Sequence, residues 1–219
     1  YGNLFIWRCH MARKRRNDAL TRVRNLCRKL IRKNAELERR LAEVTKASYL
    51  DRLPGILNAT GVTAFVLPRL SLLQSQTVKD GRSHEPTNLS VVYLDLDRFK
   101  SINDMEGHDV ADEAIKAFAR FMERHFRVGE DAIARWYRGD EFVLIISDMH
   151  HARVEKKIAA LQDALDGGAL RVGKRGIALS FSFGVASVFE GDREGEFNFD
   201  RLRAIGDHRM RLQKAGRKK

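Results

Sequence analysis

Two acidic clusters with the residue types of a metal site lie about forty residues apart in the chain. Asp95 and Asp97 end an apolar run that begins at Val91, and Asp140 and Glu141 are adjacent between two other apolar runs. Alternation along a strand places Asp95 and Asp97 on one face. Hard divalent cations such as Mg²⁺ prefer carboxylate oxygen and often complete their coordination with phosphate. The clusters therefore predict a magnesium site that serves a phosphate-bearing substrate.

The elements around these carboxylates must bring the two clusters together. Apolar runs predict a strand at 90–96 and a hairpin at 132–147, with Gly139 at the turn as the residue freest to take unusual backbone angles. Apolar positions recur at helical spacing over 109–126. His108, just before them, is interpreted as a contact at the start of this helix. Two neighbouring strand ends then carry the acidic side chains.

The remaining pattern predicts one mixed domain after a long first helix. Helices are expected to about residue 50 and at 60–74, 150–165 and 200–215, with a polar loop at 74–88 and a strand at 177–188. Strands separated by helices and joined by one central hairpin predict an α+β sandwich with a mostly antiparallel sheet.

Three blocks of this sequence match one family in order. They are Asp-Arg-Leu-Pro-Gly-Ile-Leu-Asn at 51–58, the segment from Asp95 to Asp112, and Arg-Gly-Asp-Glu-Phe at 138–142. With these blocks the chain resembles the GGDEF-domain family, the diguanylate cyclases, from residue 51 to the end. The resemblance implies a nucleotidyl-cyclase fold, a polymerase-palm-like version of the predicted sandwich.

The resemblance also implies which residues bind metal. Asp95 and Asp140 match the metal-binding carboxylates, with the backbone carbonyl of Leu96 as a further ligand, and Glu141 would support the metal and the region of the attacking hydroxyl. Mg²⁺ is the implied cofactor, with Mn²⁺ as a substitute. Asp97 is interpreted as a structural carboxylate, because turns favour Asp for local bonding to the backbone.

Nucleotide-binding residues follow from the same resemblance. Asn103 and Asp112 match the residues that recognise the guanine edge. A carboxylate can accept hydrogen bonds from the guanine donors, and an Asn amide supplies both a donor and an acceptor, so the two residue types suit this edge. Phe99 and Lys100 match the turn on the phosphate side. Arg217 resembles a phosphate-binding residue of the closing helix.

The chain departs from the family pattern at several of these positions. Arg138 replaces the first Gly of the name-giving motif, where it either clamps a phosphate or crowds the nucleotide. The arginine expected two residues before that Gly is either Trp136 or, with a one-residue insertion, Arg135. Lys214 resembles the second phosphate-binding residue but lies one position nearer Arg217 than expected. An active site is favoured over an inactive one.

A product-inhibition site is undecided from the sequence. Many family members carry Arg-x-x-Asp a few residues before the motif, and this chain has Arg127-Val-Gly-Glu-Asp131, one residue longer. The alternatives are a cyclic di-GMP site formed by Arg127 and Asp131 and an ordinary exposed turn.

A heptad repeat occupies the second half of the first fifty residues. Positions a are Leu20, Cys27, Asn34 and Leu41, and positions d are Val23, Leu30, Leu37 and Val44. A lone Asn at position a selects a parallel two-stranded register at some cost in stability, so the pattern predicts a parallel dimeric stalk. Leu26 and Ile31 widen the apolar face, which favours a higher assembly or a regulatory protein bound along the stalk.

The resemblance and the stalk together predict a function. The expected reaction condenses two GTP into cyclic di-GMP and two pyrophosphates, and each domain holds one GTP, so two domains must face each other. The predicted organisation is a stalk at 1–50 and a catalytic domain at 51–219. The alternative is a degenerate domain that acts as a receptor for GTP or cyclic di-GMP. A basic coiled coil that binds DNA would leave 51–219 unexplained.

Composition adds a location and a charge distribution. Of the net charge of +12, residues 1–50 contribute 14 Lys and Arg against 4 Asp and Glu, a pattern usually found on the solvated face of a coiled coil, so nucleic acid is not the expected partner. Cys9 and Cys27 both lie in the stalk region, which suits a reducing cytoplasm. The chain lacks a first Met, and a preceding membrane segment would place it at the cytoplasmic face of a membrane.

Overall fold

The computed structural model of this protein describes residues 22, 24–41, 43–44, 48–53, 55–75, 88–136, 139–190 and 197–217. The chain divides into two units between Ala47 and Ser48, three residues before the predicted boundary after residue 50. None of the helices in the described ranges has the length and apolar content of a membrane span.

The first unit contains one helix, α1, described at residues 22, 24–41 and 43–44. Its apolar side chains are exposed in the single chain, namely those of Leu26, Leu30, Ile31, Leu37, Leu41 and Val44. The heptad positions Leu20 and Val23 lie outside the described residues. An exposed stripe of this kind needs another surface to cover it. The parallel dimer stays a prediction.

An antiparallel sheet forms the centre of the second unit. Its strands are β1 (Leu89–Leu96), β2 (Ala132–Arg135), β3 (Glu141–Ser147) and β6 (Phe181–Ser187). They lie in the order β2-β3-β1-β6, and every neighbouring pair is antiparallel. Two short strands, β4 (Arg171–Val172) and β5 (Ile177–Ala178), form a separate small sheet.

Helices cover both faces of the central sheet. They are α2 (Ala59–Ser75), α3 (Phe99–Glu106), α4 (His108–Glu123), α5 (His151–Asp166) and α6 (Phe199–Arg217). Buried residues of α3, α4 and α5 share one core with one face of the sheet, and those of α2 and α6 share a second core with the other face. The predicted α+β sandwich is confirmed.

The alternation of β1 decides where its acidic end points. Val92 and Leu94 pack in the core beneath α4 and α5, whereas Val91 and Tyr93 pack in the core beneath α2 and α6. Because side chains alternate along a strand, Asp95 follows Tyr93 onto the α2 and α6 face.

Three features differ from the sequence-based expectation: helix α3, the short strand β4, and the division of the strand expected at 177–188. Residues 99–106 form α3, where only a polar turn was expected, and the helix starts after Arg98 in the left-handed region (φ 56°). The single strand expected at 177–188 is divided into β5 and β6. Between them the N–H of Leu179 bonds to the carbonyl oxygen of Leu170 at 3.0 Å, and the carbonyl oxygen of Ser180 accepts from the N–H of Asp97 at 3.0 Å. The backbone therefore changes its partners at this point.

Helix α6 packs unusually close to the sheet where two glycines meet. Gly184 of β6 and Gly206 of α6 are both buried. A Cβ built on Gly184 would overlap the carbonyl oxygen of Gly206 and the backbone nitrogen of Met210. Only a residue without a side chain fits this crossing.

Candidate active site

The two acidic clusters meet at one end of the central sheet. Asp95 on β1 lies directly opposite Glu141 on β3, and opposite Ser182 on β6 on its other side. Directly opposed residues of an antiparallel pair point to the same face. The N–H of Leu96 also donates to the carbonyl oxygen of Asp140 at 3.1 Å. The structure thus brings Asp95, Leu96, Asp140 and Glu141 together.

The hairpin that carries Asp140 is fixed by an arginine. The N–H of Trp136 donates to the carbonyl oxygen of Glu141 at 2.8 Å and closes the pairing of β2 with β3. Arg135 Nε donates to the carbonyl oxygen of Gly139 at 3.0 Å, and Arg135 Nη1 lies 3.6 Å from Asp51 Oδ1. Of the two arrangements left open by the sequence, the structure thus has Arg135 in contact with the turn.

The turn itself contains the two departures from the motif. Tyr137 and Arg138 lie outside the described residues, so the two alternatives for Arg138, a phosphate clamp or crowding of the nucleotide, both stay open. Gly139 has a φ of 50°, and a Cβ placed there would come within 3.2 Å of Arg135 Nη2. Both the backbone conformation and the neighbouring guanidinium favour glycine at this position.

Asp140 has a perturbed carboxyl group. Partial burial raises the pKa of Asp140, the negative charges of Asp95 and Glu141 raise it further, and the ammonium of Lys214 acts in the opposite direction. A carboxylate with reduced solvation and two acidic neighbours favours a nearby cation. The cause is the convergence of the clusters described above.

Two basic side chains reach this acidic region from the end of α6. Lys214 Nζ contacts Asp95 Oδ1. Arg217 Nη2 donates to both carboxylate oxygens of Asp166 at 2.8 and 2.9 Å, and Arg217 Nε lies 3.4 Å from Asp97 Oδ2. The hydrogen bonds to Asp166 raise the pKa of Arg217 above its usual value. Both basic residues therefore lie beside the acidic strand end in spite of the altered spacing.

Asp97 is held by its neighbours on the sheet. Ser182 Oγ donates to Asp97 Oδ1 at 2.7 Å, and Ser180 Oγ donates to Asp97 Oδ2 at 3.2 Å. Together with Arg217, these bonds occupy both of its oxygens. The contacts agree with the structural role expected for Asp97.

Tyr93 is a site residue that the sequence reasoning missed. Its hydroxyl donates to Glu141 Oε2 at 2.8 Å, and its side chain is almost fully buried. Burial first, and then this hydrogen bond, raise the pKa of Tyr93, so the phenol stays protonated as a donor. The available signal was its position two residues before Asp95 on the same strand face.

The expected guanine and phosphate residues lie on two neighbouring helices. Phe99, Lys100 and Asn103 belong to α3 and Asp112 belongs to α4, and these helices pack against each other around Gly107. Within the described ranges, the side chains of Lys100, Asn103 and Asp112 have no hydrogen-bond or ion-pair partner. They are available to a ligand.

Arg127 and Asp131, the candidates for product inhibition, bind each other. Arg127 Nη2 and Nε donate to the two oxygens of Asp131 at 3.0 and 3.2 Å, and the N–H of Ser147 donates to Asp131 Oδ1 at 3.1 Å. The Asp131 side chain is 1% exposed, whereas that of Arg127 is 45% exposed. In this arrangement the pair joins the turn after α4 to the end of β3.

Replacing Arg127 by Ala is expected to destabilise the domain by about 1–3 kcal/mol, because the buried Asp131 carboxylate loses its charged partner. Urea unfolding measures this change. Arg124→Ala, which removes an exposed arginine from the preceding turn, is the matched control and should change the free energy of unfolding by less than about 0.5 kcal/mol. Equal effects of the two substitutions would contradict a structural role for the pair.

The donor set fits a divalent cation that needs the substrate to complete its coordination. Among the described residues, no three His, Cys, Asp or Glu side chains form a group that alone could hold a metal ion. Asp95, Asp140 and the carbonyl of Leu96 offer only oxygen ligands. Mg²⁺ is commonly held by one or two carboxylates together with substrate phosphates and water. These oxygen ligands are compatible with a divalent cation whose other ligands are phosphate oxygens and water.

The chain belongs to the GGDEF family, because residues 67–219 match the family model described as diguanylate cyclase, GGDEF domain. The family predicted from three motif blocks is confirmed. Diguanylate cyclase DosC of Escherichia coli K12 is 30% identical over 129 residues, which cover 58% of this chain and 26% of DosC. An uncharacterized protein of Mycobacterium bovis, Mb1389c, is 35% identical over 159 residues, covering 70% of this chain and 23% of the relative. The chain thus spans about a quarter of these curated relatives.

Two solved structures share the fold. The coiled coil and GGDEF domain of DgcB from Caulobacter crescentus, in complex with c-di-GMP, superposes with a TM-score of 0.69 at 20% identity, covering 87% of this chain and 95% of DgcB. Diguanylate cyclase SiaD from Pseudomonas aeruginosa, in complex with its activator SiaC, gives a TM-score of 0.62 at 25% identity, covering 93% of this chain and 72% of SiaD. A helical segment before the GGDEF domain is consistent with the DgcB structure.

Proposed function

We propose that this domain is a diguanylate cyclase that condenses two GTP into cyclic di-GMP and two pyrophosphates. The observation that carries the proposal is the meeting of Asp95, Asp140 and Glu141 at one sheet end, beside Lys214 and Arg217 from α6. Acidic groups for a cation and basic groups for phosphates are what nucleotidyl transfer requires. Membership of the GGDEF family and named cyclase relatives support the same reaction.

The nucleotide is assigned to a surface that extends from α3 and α4 to the end of α6. Asp112 accepts hydrogen bonds from the guanine ring N–H and exocyclic amine, and the Asn103 amide supplies a donor and an acceptor. Phe99 and Lys100 face the phosphates at the start of α3, and Lys214 and Arg217 approach them from α6. The unpaired state of Asn103, Asp112 and Lys100 among the described residues supports these roles.

Asp95, Asp140 and the Leu96 carbonyl are the groups that would hold Mg²⁺ or, in its place, Mn²⁺. When bound there, the ion would supply charge neutralisation at the α-phosphate and a lower pKa for the attacking hydroxyl. Two domains face each other, and the 3′-oxygen of each GTP bonds to the α-phosphorus of the other. The hydroxyl proton passes to water, and the bond from that phosphorus to the oxygen that bridges to the β-phosphate breaks and releases pyrophosphate. Catalysis then depends on positioning and charge, without a dedicated general base.

Glu141 is held for this reaction by Tyr93, so Tyr93→Phe is expected to slow product formation by about tenfold, the cost of one hydrogen bond to a charged group. The ring keeps its place in the core, and the melting temperature should change little. Initial rates with saturating GTP measure the effect. Tyr49→Phe removes a phenol elsewhere in the unit and is the control. Wild-type rates in Tyr93→Phe would show that Glu141 needs no such support.

The stalk is proposed to supply the dimer and its regulation. A parallel coiled coil through the heptad positions of α1 would bring two domains into one assembly. SiaD was solved with an activator protein, and the exposed Leu26 and Ile31 offer a protein partner more apolar surface than two strands need. The proposed GTP substrate and the cysteine usage support a cytoplasmic location for the proposed activity.

Chromatography of the products after incubation with GTP and Mg²⁺ tests the proposal. Cyclic di-GMP and pyrophosphate in a ratio of one to two are expected, with no cyclic product when ATP replaces GTP. A folded dimer that binds GTP and releases no product would instead indicate either the second candidate, a receptor for GTP or cyclic di-GMP, or an enzyme that requires its partner on the stalk. Arg138 in the motif and the contact of Lys214 with a metal-binding carboxylate favour that candidate.

A further inference from the structure

Lys214 occupies a position that the proposed cyclase reaction leaves unexplained. Its ammonium contacts Asp95, although its role in the reaction is to bind phosphate. The two side chains are 26% and 14% exposed, so the contact is partly shielded from water. Within the described ranges, no other Lys or Arg is in ion-pair contact with Asp95, Asp140 or Glu141. Lys214 therefore supplies the local positive charge before any ligand binds.

One carboxylate cannot serve the ammonium and a divalent cation equally well. An ion bound by Asp95 and Asp140 would lie within a few ångströms of Lys214 Nζ in its present place, and two positive charges at that range repel each other. Lys214 has rotatable bonds and lies in the last turn of α6, so its side chain can leave without unfolding the helix. The lysine and the metal ion then exclude each other at Asp95.

The nucleotide changes this competition. Its phosphates provide a new anion for the ammonium and further oxygen ligands for the metal. Resting on the proposed function, we propose that Lys214 is the resident counter-ion of Asp95, that a divalent cation displaces it, and that the displaced lysine binds the incoming phosphates. Metal and nucleotide consequently bind with positive coupling, and each increases the affinity for the other by the same factor.

Loss of the Lys214 ammonium is expected to have opposite effects on metal binding and on nucleotide binding. Replacing Lys214 by Gln should increase the affinity for Mn²⁺ in the absence of nucleotide, by about three- to tenfold, because the competing ammonium is gone. The same variant should bind a GTP analogue with an α,β-methylene bridge more weakly, and the coupling between Mn²⁺ and the analogue should shrink. Lys214→Arg keeps the charge and should retain the affinity of the parent for Mn²⁺.

Electron paramagnetic resonance of free Mn²⁺, titrated with nucleotide-free protein, measures the affinity without turnover. Arg211→Gln removes one positive charge a turn earlier on α6, where Arg211 pairs with Asp207, and controls for the general loss of charge. A gain in Lys214→Gln with less than a twofold change in Arg211→Gln supports the exchange. Equal or weaker binding of Mn²⁺ by Lys214→Gln overturns it.

Two further measurements distinguish a failure of the lysine exchange from a failure of the proposed cyclase activity. The titration is repeated with Lys214→Met, because the methionine side chain lacks the amide through which the glutamine of Lys214→Gln can contact Asp95. Thermal melting shows whether Lys214→Gln and Lys214→Met are folded. A domain that makes no cyclic di-GMP but shows the gain in Mn²⁺ affinity would support the lysine exchange and count against an independently active cyclase. If the parent makes cyclic di-GMP and Lys214→Gln shows no increase in Mn²⁺ affinity, the cyclase is supported and the lysine exchange is refuted.

Discussion

Replacing Asp140 by Asn is expected to lower cyclase activity by about a thousandfold and, in the same protein, to raise the melting temperature by roughly 2–4 °C. Activity falls because one of the two proposed metal carboxylates is lost. Stability rises because Asn removes a partly buried charge beside Asp95 and Glu141. The loss of activity and the gain in stability have one origin. The clustered carboxylates repel one another and destabilise the folded protein without metal, and the same negative charge attracts the cation.

The pH dependence provides the check on this explanation. The folded-state pKa of Asp140 is raised above its ordinary value of 3.8. The stability that this group contributes is therefore fully present below the unfolded pKa and is lost as the pH rises through the folded pKa. In the presence of a chelator, the gain in melting temperature of Asp140→Asn should be near zero below about pH 4 and grow toward neutral pH.

Asp163→Asn, which removes an exposed carboxylate from α5, is the control and should change neither quantity. Thermal melts across this pH range, with product formation measured at neutral pH, complete the experiment. An Asp140→Asn protein that is less stable than the parent at pH 7 in chelator would contradict the like-charge description of the site. Full activity in that protein would remove Asp140 from the proposed metal site.

Replacing Asp112 by Ala is expected to lower kcat/KM for GTP by about 10²–10³, because guanine loses two hydrogen bonds to a charged acceptor. The comparison with inosine triphosphate, which lacks the exocyclic amine, assigns the contact. The parent should prefer GTP over inosine triphosphate by roughly 10–100-fold, and Asp112→Ala should use both nearly equally.

Glu113→Ala changes the adjacent exposed carboxylate on α4 and controls for charge and helix stability. It should keep the preference of the parent for GTP. If Asp112→Ala discriminates between the two nucleotides as well as the parent does, the guanine edge is recognised elsewhere. Initial rates at several concentrations of each nucleotide provide these ratios.

The parts of this domain that were predictable are those with a strong local pattern. The apolar run of β1, the hairpin and the amphipathic α4 each follow from periodicity, and α4 begins at His108, one residue before the predicted start at 109. Helix α3 was missed because its eight residues are mostly polar and only Ile102 is buried. Its position is fixed by packing against α4, which no pattern within residues 99–106 indicates.

The site was predictable in its residues more than in its contacts. The motif blocks predicted that Asp95 and Asp140 lie together, and the structure has both residues at the same end of the central sheet. The contact of Lys214 with Asp95 joins residues 119 positions apart, and the bond from Tyr93 to Glu141 depends on strand register. Local sequence places Tyr93 on the same strand face as Asp95, but it specifies neither contact, because both depend on how α6 and β3 lie against β1. Arg135 could be distinguished from Trp136 only by its bonds to Gly139 and Asp51.

The close crossing of Gly184 and Gly206 makes the C-terminal end of α6, which carries Lys214, sensitive to a distant position. Lys214 lies eight residues beyond Gly206, about 12 Å along the helix. A methyl group at Gly184 would push α6 away from the sheet. Any tilt of the helix about this crossing would displace its C-terminal end further than the residues at the crossing. A lineage of such domains can therefore lose activity by one substitution in the core while every residue of the motif stays intact.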